Sequence, residues 1–137
     1  MKYDLSLPPQ DYYRIVEATR EMISAAPNMS EAERNSIQTD GHGHIGDGNL
    51  HLNVTMEGFD DKDLQKRLYD LIDPFIMKFV KDVRGSVSAE HGVGRQKAKY
   101  LSYSKSDEMI SVMKQIKGVL DPNNIMNPYK VLTEEVA

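Results

Sequence analysis

The stretch that most restricts how this chain can fold is "GHGHIGDGNLHLNV", Gly41 to Val54, where Asp47-Gly48 separates two runs of alternating residues. An Asp-Gly pair in that setting is a strong local signal for a β-hairpin, and a two-residue type I′ turn sets every cross-strand pair. Gly46 then faces Asn49, Ile45 faces Leu50, His44 faces His51 and His42 faces Asn53. The period of two sorts the side chains by face. Ile45, Leu50, Leu52, Val54 and Met56 are expected in a core, with His42, His44, Asn49, His51, Asn53 and Thr55 on the opposite face.

Around this hairpin the pattern predicts an α+β fold, an antiparallel sheet with packed helices. "KYDLSL" reads as a strand ended by Pro8 and Pro9. Tyr12, Ile15, Val16, Thr19, Met22 and Ile23 recur at three- and four-residue spacing, the stripe of an amphipathic helix. "AAPNMSEAERNSIQTD" is polar and aperiodic and reads as a mobile loop. From Asp60, the expected N-cap, to Arg84 a second helical stripe runs through Leu64, Leu68, Leu71, Ile72, Phe75, Ile76, Phe79, Val80 and Val83. Pro74 should kink or divide it, and Gly85 should end it. A last helix starts near Ser106 with Met109, Val112, Met113, Ile116 and Leu120 as its buried face, and "DPNNIMNPYK" breaks it.

The hairpin also holds three of the four histidines, and the fourth, His91, follows Glu90 in "SVSAEHGVG". A lone histidine on a sheet face is ordinarily a surface residue. Two in cross-strand register, with Cβ atoms about 4.5–5.5 Å apart, can share an ion. The chain has no cysteine, so a metal must be held by imidazole and carboxylate. Two histidines leave it underfilled. Catalytic sites commonly add one carboxylate and keep positions open, which makes Glu90 the natural third ligand and His91 a candidate general base. The glycines of "EHGVG" allow close backbone approach. Arg95, Lys97, Lys99 and Lys105 read as a solvated basic face. An EF-hand lacks its acidic ladder here, HExxH is absent, and "GDGN" lacks the Lys and helix of a P-loop. The net charge of −4 argues against nucleic acid, and no apolar run is long enough to span a membrane. The N-terminus lacks a signal peptide or Arg-rich presequence and begins directly in a strand, as an excised piece of something larger would.

In order, "KYDLSLP", "GHGHIGDGNLHLNVT", "GSVSAEHGVG" and "LDPNNIMNPYK" resemble the carboxyl-terminal portion of the flavin-linked D-2-hydroxyacid dehydrogenases. D-2-hydroxyglutarate dehydrogenases are the nearest group, with D-lactate dehydrogenases and the glycolate oxidase flavin subunit as relatives; some relatives are named actin-interacting proteins. The resemblance implies the end of a substrate (cap) domain of the vanillyl-alcohol-oxidase type over residues 1–104 and a helical segment over 105–137, with the FAD-binding domain outside this chain. It implies a divalent metal, zinc first, on His44, His51 and Glu90; substrate carboxylates held by Lys2 and Asn53; His91 as the catalytic, substrate-contacting histidine; and Asn127 in a segment returning toward the flavin. The family's other carboxylate-binding residues, an Arg and a Thr, precede the matched region.

His42 stands where the family has an aromatic or other non-ligand residue, which puts a fourth nitrogen near the metal. The stretch between Thr19 and Asp40 is longer than in the relatives. The implied reaction is oxidation of a D-2-hydroxyacid to the 2-oxoacid, electrons passing from FAD to a further acceptor, with this piece inactive alone. Location would be mitochondrial in a eukaryote and cytoplasmic otherwise. Self-association is expected if an apolar face is left open. Two other readings stand beside it: a non-catalytic metal-binding or interaction module, and a metal-dependent hydrolase, against which the Lys2 and Asn53 matches argue.

Overall fold

The computed structural model describes residues 1–57 and 60–133. The last four positions of the expected helical segment therefore lie outside the described residues. Three strands, β1 (Lys2–Ser6), β2 (Ile37–His44) and β3 (Asn49–Met56), form one antiparallel sheet in the order β1-β3-β2. The helices are α1 (Tyr12–Ser24), α2 (Glu31–Asn35), α3 (Lys62–Asp82) and α4 (Asp107–Leu120), with 3-10 turns at Pro9–Asp11 and Ala98–Tyr103. The fold is α+β as expected. None of the helices described is long and apolar enough to cross a membrane.

One sheet face makes the core. Tyr3, Leu5, Leu50, Leu52 and Val54 are buried together with Ile15, Val16 and Ile23 of α1 and Leu64, Leu68, Ile72, Ile76 and Val80 of α3. Burial of these side chains is the main driving force for folding. Glycines let α1 and β2 approach closely: a Cβ on Gly41 would lie 2.8 Å from Val16 Cγ2.

Five local expectations are corrected. The hairpin is not a type I′ turn. Its loop is four residues, Ile45 to Gly48, and only Gly48 of the Asp47-Gly48 pair has positive φ, whereas type I′ requires it at both. Asp47 instead folds back, its Oδ1 accepting from the Asn49 amide at 3.2 Å. Ile45, expected in the core, sits on that loop 70% exposed. The aperiodic stretch expected to contain a mobile loop also holds a helix, α2, closed by a capping box between Ser30 and Glu33. The N-cap of α3 is Asp61 rather than Asp60, its side chain accepting from the Leu64 amide. Pro74 neither divides nor ends α3, which runs 21 residues through it.

Two further departures bear on what surrounds the site. At the end of α3 Arg84, not Gly85, takes the left-handed conformation (φ 56°), and the Gly85 amide closes back on the Val80 carbonyl. Gly85 is needed for another reason: a Cβ there would lie 2.6 Å from the Ser6 carbonyl oxygen. That close approach lets Ser6 and Ser86 exchange backbone hydrogen bonds and lays residues 86–91 beside β1. Finally, α4 has no buried residue. Its expected buried face is open, with Met109, Val112, Ile116 and Leu120 each more than half exposed, and its main packing among the described elements is against the 98–103 turn.

Candidate metal and substrate site

The register gives the polar face of the sheet three rows. Lys2 lies opposite Asn53, and Asn53 opposite Asp40; Asp4 pairs with His51 and His51 with His42; Ser6 pairs with Asn49 and Asn49 with His44. The expected register is therefore shifted by two residues: His42, not His44, directly opposes His51, and Asp40, not His42, opposes Asn53. An even shift preserves the faces, so all three hairpin histidines remain on the polar side.

Residues 86–91 cross the β1 edge of this face. Glu90 Oε1 meets His51 Nε2 at 2.8 Å, and His91 stacks on His51 with ring centroids 5.3 Å apart. His91 Nε2 lies 3.9 Å from Glu90 Oε1. The Glu90 carboxyl is held below the ordinary range, first by the Asn49 side chain, which with His51 outweighs the opposing desolvation. Among the described residues, one group of possible ligand atoms lies within 4.8 Å of one another, from Asp4, His51, Glu90 and His91. His44, expected as a ligand, is outside it, though its ring sits edge-on to His51 at 6.3 Å. His42 is 5.3 Å from the His51 ring, and its Nδ1 is engaged by Asn53 Nδ2 at 3.3 Å.

Asn53 also donates to Asp40 Oδ1 at 3.2 Å, so its amide is oriented from β2. Lys2 is exposed beside it and borders a groove of about 820 Å³ lined by Met1, Val54, Met56, Leu68 and Tyr69. Gly92 and Gly94 are left-handed (φ 79° and 52°), with no described protein atom within 4 Å of where a Cβ would sit. Asn127 is exposed and left-handed at φ 48°, on a tail whose Val131 amide donates to the Gly94 carbonyl at 2.7 Å. The "NPYK" stretch thus returns to the loop that carries Glu90 and His91.

Two participants escaped the sequence reading. Asp4 is 3% exposed and accepts from the Ser88 hydroxyl and the amides of Ala89, Glu90 and His91. Its signal was its placement two residues from Lys2, which puts both on one strand face. Asn49 is buried, and its Oδ1 has no hydrogen-bond partner, an unmet acceptor beside Glu90. Lys97 also departs from expectation: instead of a solvated cation, it donates from Nζ to Asp4 Oδ2 at 3.3 Å.

A donor set of imidazoles and a carboxylate fits a zinc-like ion, and a carboxylate behind the far nitrogen of His51 is the usual support for such a ligand.

The C-terminal domain model of the FAD linked oxidases matches residues 1–131. The chain belongs to that family. It is 41% identical to the D-2-hydroxyglutarate–pyruvate transhydrogenase of Saccharomyces cerevisiae, over 96% of this chain and 25% of that protein. It is 47% identical to a probable mitochondrial D-2-hydroxyglutarate dehydrogenase of Oryza sativa subsp. japonica, over 98% of this chain and 22% of the relative. Identity to the mitochondrial D-2-hydroxyglutarate dehydrogenase of Arabidopsis thaliana is 44%, over 96% and 21%. The chain thus spans about a quarter of the length of the curated relatives it matches.

Proposed function

We propose that this chain is the metal- and substrate-binding portion of an FAD-dependent dehydrogenase that oxidises a D-2-hydroxyacid, D-2-hydroxyglutarate or D-lactate, to the 2-oxoacid. The observation that carries the reading is the meeting of His51 Nε2 and Glu90 Oε1 at 2.8 Å, with His91 stacked alongside, on a sheet face that also displays Lys2 and Asn53.

In this reading His51 and Glu90, joined by His44 from the hairpin end, hold a divalent metal, zinc by donor type. Lys2 and Asn53 bind substrate carboxylate; the two contacts to Asn53 from β2 fix how it presents its amide. His91, neutral on its accepting nitrogen, takes the proton of the C2 hydroxyl. Asn127 lines the side that faces the flavin. The absent groups supply Lewis acidity at the substrate oxygens and two-electron acceptance. Membership of the FAD linked oxidases supports a further electron acceptor, and the relatives' names support a mitochondrial setting in a eukaryote.

The test has two arms. Zinc titration of this chain should show one site, lost in His51→Ala and weakened in His44→Ala. In the protein joined to its FAD domain, His91→Ala should lower turnover of the D-hydroxyacid by about 10²–10⁴-fold, the usual worth of a general base. Undiminished turnover would remove His91 from the mechanism, and zinc binding that ignores His51 would remove the metal assignment.

A further inference from the structure

We propose that Asp4 is a positioning residue of this site, one that sets the distance between its two ligand-bearing elements without itself ligating. The inference rests on the reading of His51 and Glu90 as metal ligands. His51 belongs to the sheet, while Glu90 belongs to a loop without regular secondary structure, so something must fix one against the other.

Asp4 stands between them. Its Oδ2 accepts from Ser88 Oγ at 2.9 Å, from the amides of Ala89 and His91 at 3.0 and 3.1 Å, and from Lys97 Nζ at 3.3 Å. Its Oδ1 accepts from the Glu90 amide at 3.2 Å and faces His51 Nδ1 at 3.9 Å. One buried carboxylate thus gathers three successive loop amides and at the same time backs the nitrogen of His51 that points away from Glu90.

The distribution of donors favours positioning over ligation. A carboxylate offers about four acceptor sites. Four of Asp4's five donor groups crowd Oδ2, and Oδ1 takes the Glu90 amide and turns its remaining lone pair toward His51 Nδ1, so the carboxylate is committed to the loop and the histidine although its atoms lie within the ligand cluster. A carboxylate behind the non-ligating nitrogen of a metal-bound histidine fixes ring orientation and tautomer, and its loss typically costs 10–100-fold in metal affinity.

The experiment compares the whole chain with Asp4→Asn, using zinc and cobalt(II) as probes. Asp4→Asn should bind 10–100-fold more weakly at unchanged stoichiometry. Ile76→Ala, in the core of α3, supplies the comparison for a purely structural loss: it should lower the melting temperature and leave affinity unchanged. Loss of the site altogether would make Asp4 a ligand. Unchanged affinity, or a drop no larger than that of Ile76→Ala, would make it a fold residue only; any of these overturns the proposal. If the wild-type chain binds neither ion, the metal reading fails separately. Amide exchange of the metal-free chains then decides: Ala89, Glu90 and His91 should exchange at least tenfold faster in Asp4→Asn, with Ser6 and Ser86 unchanged. Equal exchange at residues 89–91 would overturn it. Should Asp4→Asn not fold, Ser88→Ala removes one donor alone, and no change in affinity or exchange there would count against the proposal.

Discussion

His51 meets Glu90 at Nε2, and its Nδ1 faces Asp4 Oδ1 at 3.9 Å, whereas His42, directly across the strand, is turned to Asn53 and Asp40. Replacing His42 by Phe should therefore leave zinc affinity within about threefold, while His51→Ala abolishes it; calorimetric titration separates them. Acid dependence follows from Asp4. Burial would raise its carboxyl pKa, but the loop amides and the Ser88 hydroxyl outweigh that and hold it below the ordinary range. A depressed folded value gives stability that is fully present above the unfolded pKa, about 3.9, and is lost as pH falls through the folded one. The 89–91 amides should stay protected from pH 7 down to about pH 4 and open only in stronger acid; release between pH 6 and 5 would contradict this. Much of this site was legible in the residues: three histidines on one face, and Glu90-His91 beside glycines. Asp4 was not, because a carboxylate inside a short alternating strand gives no sign of which distant amides it will collect.

At the scale of elements, the β2–β3 pair depends on Gly43, since a Cβ there would lie 2.2 Å from the Asn49 carbonyl oxygen. Gly43→Ala should destabilise the fold by about 1–3 kcal/mol, the range of an overpacked position, and disturb the His44 and Asn49 row. Thermal denaturation measures the first effect, and histidine proton resonances report the second. Helices with a clear apolar stripe, α1 and α3, were readable to within a residue or two, because burial and periodicity agree there. The hairpin was placed correctly but two residues out of register: a four-residue loop closed by an Asx contact competes with the type I′ turn, and Asp-Gly suits both. The helix α2 went unread although Ser30 and Glu33 carry the capping-box spacing, since five residues show no period.

At the scale of the molecule, α4 and the tail leave large apolar side chains open: among the described residues Val119, Leu120, Ile125 and Met126 are 80, 72, 77 and 63% exposed. Open apolar surface promotes association. Sedimentation should show concentration-dependent self-association of the chain, reduced by Val119→Lys with Leu120→Lys. Because neither side chain contributes to the core, stability should stay within about 0.5 kcal/mol. The periodicity of α4 marked Met109, Val112, Met113, Ile116 and Leu120 as a face to be buried, but amphipathicity says only that a face wants cover, not that the same chain supplies it. The Asp4 clamp, finally, has a consequence in time. It joins positions 84 to 93 residues apart, from Ser88 to Lys97. Contacts of such separation reward the chain only once the closure entropy of the intervening segment has been met, and the sheet with its two packed helices meets most of it by bringing the ends together. Capture of an ion should then come late in folding, turning metal uptake into a clock for the completed molecule.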